Sequence, residues 1–266
     1  MEFMSKMTET IEKSTDGGGA RAGARASASA SAIRLVADEA ADTASITSIY
    51  ESPAYAESLK DIHIKPKAYE ALKRVLDILF SLFALVVLAP VFLIVAICIK
   101  LEDGDPIIFR QLRNGRDGKE FWMYKFRSMV KEAPQMHRNL LQYNEMQGPA
   151  FKLKDDPRIT KVGYIIRRTS IDELPQLLNV IKGDMSIVGP RPLPTYETSQ
   201  CNAIHNRRLL VKPGLTCYWQ INGRNNIEFD EWMELDWKYV KERSLKTDAK
   251  IVLKTFGVVV SGNGAN

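Results

Sequence analysis

The sequence predicts a helix-rich α/β domain with short strands, joined on its N-terminal side to an apolar helical segment long enough to enter a membrane. Three observations carry this reading. Leu82 to Ile99 form eighteen consecutive apolar residues, counting Pro90. Two strand-like runs flank the turn signals of NGRDG. Later segments space their apolar residues as helices do, with Leu174, Leu177, Leu178 and Ile181 in one and Phe229, Trp232, Met233 and Trp237 in another. At 266 residues the chain can bury one good core with appendages.

Residues 1–66 read as a disordered extension. GGGARAGARASASASA is Gly/Ala/Ser-rich and has no periodic apolar face. Tyr50, Pro53 and Tyr55 mark a short candidate interaction segment. The first 30 residues lack the apolar core of a secretory signal. This extension carries 7 Lys and Arg against 10 Asp and Glu, a balance of −3, which leaves +8 on residues 67–266. A basic globular part suits an anionic partner: nucleic acid, a phosphorylated substrate or an anionic membrane surface. No helix-turn-helix, zinc-finger or RNA-binding signature accompanies the charge, so no nucleic acid is expected. Cys98, Cys201 and Cys217 have neither metal-ligand spacing nor an even-numbered disulfide framework, in keeping with a reducing compartment.

Residues 67–101 hold the membrane candidate. Pro90 removes a backbone donor and clashes with the preceding turn, so a helix bends or breaks there. Each half is about a dozen residues, roughly 18 Å at 1.5 Å per residue, against a hydrocarbon core about 30 Å thick. Two arrangements survive, a kinked spanning helix and a re-entrant hairpin. Lys73 and Arg74 before the run and Lys100 after it leave the charge asymmetry undecided.

Residues 102–266 form the globular part. DPIIFRQLR and KEFWMYKFRSM read as two strands. Their NGRDG turn is not a Walker A loop, because Arg113 stands where the first glycine belongs and Glu120 follows Lys119. Residues 130–148 look helical, and FKLKDDPRITKVGYIIRR looks short and extended or mixed. A helix is expected to start near Ile171 or Asp172, since Pro175 is tolerated only in a first turn.

The candidate chemistry lies at Asp172 and Glu173, two adjacent acids with Arg167 and Arg168 upstream and Arg191 downstream in GPRP. Acids at a helix start commonly cap it, but only one of two neighbours can do so. A carboxylate held ionised by a helix N-terminus and nearby cations can be a nucleophile toward a phosphate, and two neighbouring acids can hold Mg²⁺.

KRVLDILFSLFALVVLAPVFLIVAICIKLEDGDPIIFRQLRNGRDGKEFWMYKFRSM, RRTSIDELPQLLNVIKGDMSIVGPRPLP and VKPGLTCYWQINGRN together resemble the bacterial sugar transferase family, the monotopic phosphoglycosyl transferases. The resemblance covers roughly residues 68–262. It implies transfer of a sugar 1-phosphate from a UDP-sugar donor to polyprenyl (undecaprenyl) phosphate with release of UMP, the first membrane step of exopolysaccharide, capsule or other glycoconjugate synthesis. Asp172 would be the nucleophile of a phosphosugar intermediate. Glu173 would help hold Mg²⁺ or manage the acceptor's proton, and Asp172 and Glu173 would be the metal ligands. Arg167, Arg191 and Lys125 would bind phosphate, with Arg168 left solvated. Pro90 would break a re-entrant membrane hairpin that leaves both ends on the cytoplasmic face of the bacterial inner membrane. The chain departs from the family's frequent pattern at Ala89, where a serine is common, and at Cys217-Tyr218-Trp219, where a Gly-Trp-Ala-like run is common. It resembles the compact form of the family. The sugar is not legible, and a homo-oligomer is left open. The competing readings are a lipid-linked phosphodiesterase and a non-catalytic membrane-docked scaffold.

Overall fold

The computed structural model describes residues 65–223 and 227–261. The expected disordered extension therefore lies, but for its last two residues, outside the described part. Within it the helix-rich α/β reading holds: ten α-helices surround two short two-stranded sheets.

Helix α1 (Lys67–Val87) and helix α2 (Ala89–Asp103) meet at Leu88 with a bend of 62°. The break falls two residues before Pro90, which sits in the first turn of α2. A missing N–H has no intrahelical partner to lose there. No single described helix is long and apolar enough to cross a bilayer; α1 and α2 reach that length only as a pair.

The amphipathicity of α1 is inverted relative to a surface helix of a water-soluble domain. Its buried stripe is polar: Lys73, Asp77 and Ser81, four residues apart, are 9, 7 and 0 % exposed. Its outer face is apolar, with Leu79, Phe83 and Val86 at 59, 68 and 76 %. Lys73 Nζ lies 2.7 Å from Asp248 and 3.8 Å from Asp77. Asp77 in turn accepts the Ile187 N–H at 3.2 Å. The stripe thus ties α1 to the C-terminal helix and to a strand of the core.

Strands β1 (Ile108–Asn114) and β2 (Glu120–Phe126) form the antiparallel hairpin that the turn signals predict, with Ile108 opposite Phe126. Helix α3 (Ala133–Leu140) occupies part of the expected helical stretch, followed by a single 3₁₀ turn. Where extended or mixed structure is expected, the chain instead forms helix α4 (Lys161–Arg168). Val162, Ile165 and Ile166 are β-branched and Gly163 is a weak helix former, which hides this helix from propensity. Two local devices make it. Thr160 Oγ1 accepts the Gly163 N–H at 2.9 Å, and the Glu102 carboxylate accepts the N–H groups of Lys161 and Val162 at 2.8 and 3.0 Å. Gly163 is required, because a Cβ there would stand 2.0 Å from the Ser128 carbonyl oxygen.

The rest of the domain comprises α5 (Gln176–Lys182), β3 (Ser186–Val188), α6 (Thr195–Thr198), α7 (Ala203–Asn206), β4 (Gly214–Thr216), α8 (Tyr218–Ile221), α9 (Phe229–Glu242) and α10 (Leu245–Ser261). β3 and β4 pair in parallel, Ser186 opposite Gly214. The main core joins Met123 of β2, Leu177 and Val180 of α5, Met185, Val188 of β3 and Tyr239 of α9. A smaller cluster joins Val95 and Ile99 of α2 to Phe126 of β2 and Ile166 of α4. Phe92 of α2 meets Phe126 edge-on at 5.2 Å. The apolar segment is therefore packed against the two elements that deliver Lys125 and Arg167.

Candidate active site

Between α4 and α5 the backbone reverses at Ser170, which holds a left-handed φ of 57°. A 3₁₀ turn, Ile171–Glu173, follows, and α5 starts only after Pro175. The two acids thus precede the α-helix rather than opening it. Among the described residues neither side chain accepts a backbone N–H, so capping does not explain them.

Cations occupy Glu173 instead. Its Oε1 accepts from Lys125 Nζ at 2.8 Å and from the Arg191 guanidinium at 2.6 Å. Asp172 accepts no hydrogen bond among the described residues; its Oδ2 lies 3.9 Å from Lys125 Nζ. Four of the five polar residues named by the sequence are thereby gathered in one cluster, and their side chains are 10–23 % exposed. Arg167, on the last turn of α4, is close enough to act electrostatically on Asp172 and Asp156, yet it pairs with no described acid. Arg168 points to solvent as expected. Pro90 stands apart from the cluster, in α2.

The adjacent acids differ electrostatically. Burial pushes Asp172 up to about 6, with Lys125 opposing and Glu173 reinforcing the rise. Burial would raise Glu173 too, but Arg191 and Lys125 outweigh it and hold its carboxyl far below the usual range. Desolvation leads the other way for Lys125, whose ammonium is pulled below the ordinary lysine value despite Glu173. Glu173, rather than Asp172, is therefore the acid held ionised by the cations. Asp172 is ionised at neutral pH, basic for an aspartate, and its oxygens are uncommitted.

Most of the side chains that support this cluster lie on elements the sequence predicts, but their supporting role is not marked there. Asn179 of α5, fully buried, accepts the Tyr124 N–H at 3.0 Å and donates to the Trp122 carbonyl at 2.7 Å. It thereby fixes the strand edge that carries Lys125. The Arg191 guanidinium lies over the Trp219 ring at 5.4 Å, and Arg208 donates to the Arg191 carbonyl. Arg208 faces Asp236 of α9 at 3.8 Å, both buried. Burial pushes Asp236 up to about 7. Arg113 donates to the Pro192 carbonyl at 2.8 Å, and burial pulls it down to about 10. One signal for this shell is in the sequence: Asp236 falls at helical spacing on the apolar face of Phe229, Trp232, Met233 and Val240.

Residues 68–262 match the family model described as bacterial sugar transferase. The chain belongs to this family. Among relatives, a protein named galactosyl transferase CpsE of Streptococcus agalactiae is 51 % identical over 196 residues, 73 % of this chain and 43 % of the relative. An undecaprenyl-phosphate galactose phosphotransferase of Salmonella typhimurium is 44 % identical over 200 residues, 73 % of this chain and 41 % of the relative. The exopolysaccharide production protein ExoY of Sinorhizobium fredii is 40 % identical over 197 residues, 73 % of this chain and 87 % of the relative. This sugar transferase chain thus matches less than half the length of the first two relatives, and most of the third.

Proposed function

We propose that the chain transfers a sugar 1-phosphate from a UDP-sugar to polyprenyl (undecaprenyl) phosphate, initiating an exopolysaccharide, capsule or related glycoconjugate at the bacterial inner membrane. The observation that carries this reading is the division of labour in the dyad. Glu173 holds Lys125 and Arg191 in place, and Asp172 remains ionised, desolvated and without a hydrogen bond among the described residues.

Asp172 Oδ attacks the sugar-bearing phosphorus of the donor. The bond from that phosphorus to the bridging oxygen breaks, and UMP leaves with the electron pair. An oxygen of polyprenyl phosphate then attacks the same phosphorus, expels the Asp172 carboxylate and yields the lipid diphosphate sugar. Arg167 neutralises phosphate charge, and Lys125 and Arg191 preorganise the field around the reacting oxygens. Asp172 has the uncommitted oxygens that a Mg²⁺ ligand needs, whereas Glu173 could offer only Oε2. Among the described residues no three His, Cys, Asp or Glu side chains converge, so water and substrate oxygens would complete the shell, as Mg²⁺ prefers. When bound, Mg²⁺ would neutralise the diphosphate and help UMP leave.

The inverted face of α1 and the 62° bend at Leu88 support a re-entrant segment, with its apolar side in lipid and its polar stripe on the domain. The catalytic domain then lies on the cytoplasmic face. UMP release by the detergent-purified chain with Mg²⁺, polyprenyl phosphate and a UDP-sugar panel headed by UDP-galactose tests the reaction. The expected result is lipid-dependent release lost in Asp172→Asn. Free sugar 1-phosphate without lipid would instead favour the phosphodiesterase, and normal pathway complementation by Asp172→Asn the scaffold.

A further inference from the structure

At the end of α5 remote from the dyad, a cavity of about 160 Å³ lies between the N-terminal half of α1 and β3. Five cations line it, Lys73, Arg74, Arg116, Lys212 and Arg243, against two acids, Glu70 and Asp77. Their partners divide them. Lys73 is matched by Asp248 and Asp77, and Arg243 by Glu70 at 2.5 Å. Arg74 donates to the Val180 and Ile181 carbonyls at the C-terminal end of α5. Among the described residues Arg116 pairs only with its own neighbour Asp117, at 3.5 Å and half exposed. Lys212 has no hydrogen bond or ion pair among the described residues, although Asp77 and Asp184 act on it at longer range. Lys212 and Arg74 nonetheless converge: a Cβ on Gly183 would stand 3.6 Å from Lys212 Nζ and 3.3 Å from the Arg74 guanidinium. Burial and these two arginines push the Lys212 ammonium down, as expected of cations crowded without a counter-ion.

A second, independent feature is Ser186. It is 1 % exposed, it lines this cavity, and its Oγ has no hydrogen-bond partner among the described residues. A buried hydroxyl left unpaired carries a desolvation cost that a ligand oxygen would remove.

We propose that this cavity binds one phosphate group, held by Lys212, Arg116 and the Ser186 hydroxyl, with Arg74 behind them. A phosphate supplies both the charge that the cations lack and an acceptor for Ser186. The cavity has room for a phosphate with part of its hydration. The group can come from inorganic phosphate or from an anionic lipid headgroup, since α1 runs from this cavity into the exposed apolar face.

The test is calorimetric titration of inorganic phosphate into the detergent-solubilised full chain at fixed ionic strength. Arg167→Gln is the starting background, to remove phosphate binding at the dyad. That variant should keep one binding event, and adding Lys212→Met should weaken it about tenfold or more, the size of one charge-assisted hydrogen bond. Ser186→Ala, which breaks no existing bond, should weaken it in the same direction with an unchanged melting temperature. Nanodiscs then separate the sources. Phosphate binding suppressed by phosphatidylglycerol but not by phosphatidylcholine assigns the headgroup, and binding unaffected by either assigns free phosphate. Absence of binding in Arg167→Gln, or equal binding with and without Lys212→Met, overturns the site. No sugar donor is present, so the outcome is independent of whether the transfer reaction is assigned correctly.

Discussion

Lys125→Met probes the electrostatics of the dyad most sharply. Lys125 Nζ lies 3.9 Å from Asp172 Oδ2 and leads the interactions that keep the buried Asp172 carboxyl from rising above about 6. At an effective dielectric constant of about 20, a charge pair at that distance is worth about 4 kcal/mol, or about three pKa units at 1.36 kcal/mol each. Arg167 and Arg191 remain, and the Lys125 side chain is 16 % exposed, so solvent and these neighbours absorb part of the loss. A rise of one to two units, to about 7–8, is the reasoned result. Ionised Asp172 would then fall about two- to tenfold at pH 7 and recover by about pH 9. The assay is kcat/KM for UMP release between about pH 5.5 and 9, where the wild type should show an acid limb near 6. A limb unmoved by the substitution, or a loss by the same factor at every pH, would refute the assignment of Lys125 as the group that tunes Asp172.

The other expectations concern the scaffold. Asn179→Ala strips the Tyr124 N–H and the Trp122 carbonyl of their buried partner and should cost about 2–4 kcal/mol, read as a lowered denaturant midpoint. Lys73→Met leaves Asp248 and Asp77 facing each other without their cation and should destabilise by about 3 kcal/mol or more; Lys73→Met with Asp248→Leu should recover part of that in thermal melts. Gly163→Ala forces a Cβ onto the Ser128 carbonyl and should displace α4 with Arg167, lowering donor affinity more than the global melting temperature. Single cysteines at Lys67 and Lys119, both exposed, should react with an impermeant maleimide from the same side of sealed vesicles; opposite-side labelling would favour a spanning helix.

The parts of this fold that can be read from sequence are those set by local chemistry. The NGRDG hairpin follows from turn residues, and the break near Pro90 from a proline that only the first turn of a helix accommodates. Asp172, Glu173 and the nearby arginines stand out in the sequence as a charge cluster, whereas their roles, and Lys125 as a member, come only from the family resemblance. α4 was not, since its stability comes from the Glu102 carboxylate, 59 residues away, capping a sequence of poor intrinsic propensity. The unequal roles of Asp172 and Glu173 were also hidden. They depend on which oxygen Lys125 and Arg191 reach, and so on how β2 and the segment before α6 pack around the 3₁₀ turn. Asn179 and Arg208 act through tertiary contacts that no spacing rule encodes; only Asp236, an acid at helical spacing on an apolar face, leaves a trace in the sequence.

The central claim is that Asp172 becomes covalently bonded to the sugar-bearing phosphorus before the lipid arrives. The most direct measurement is the intact mass of the acid-quenched chain after mixing with Mg²⁺ and the accepted UDP-sugar, with polyprenyl phosphate omitted. The expected result is one added sugar phosphate per chain with an equal amount of UMP, the label mapping to the peptide containing Asp172 and disappearing when lipid is added. Lipid-dependent turnover with no adduct at any time, or an adduct that persists in Asp172→Asn, would contradict it.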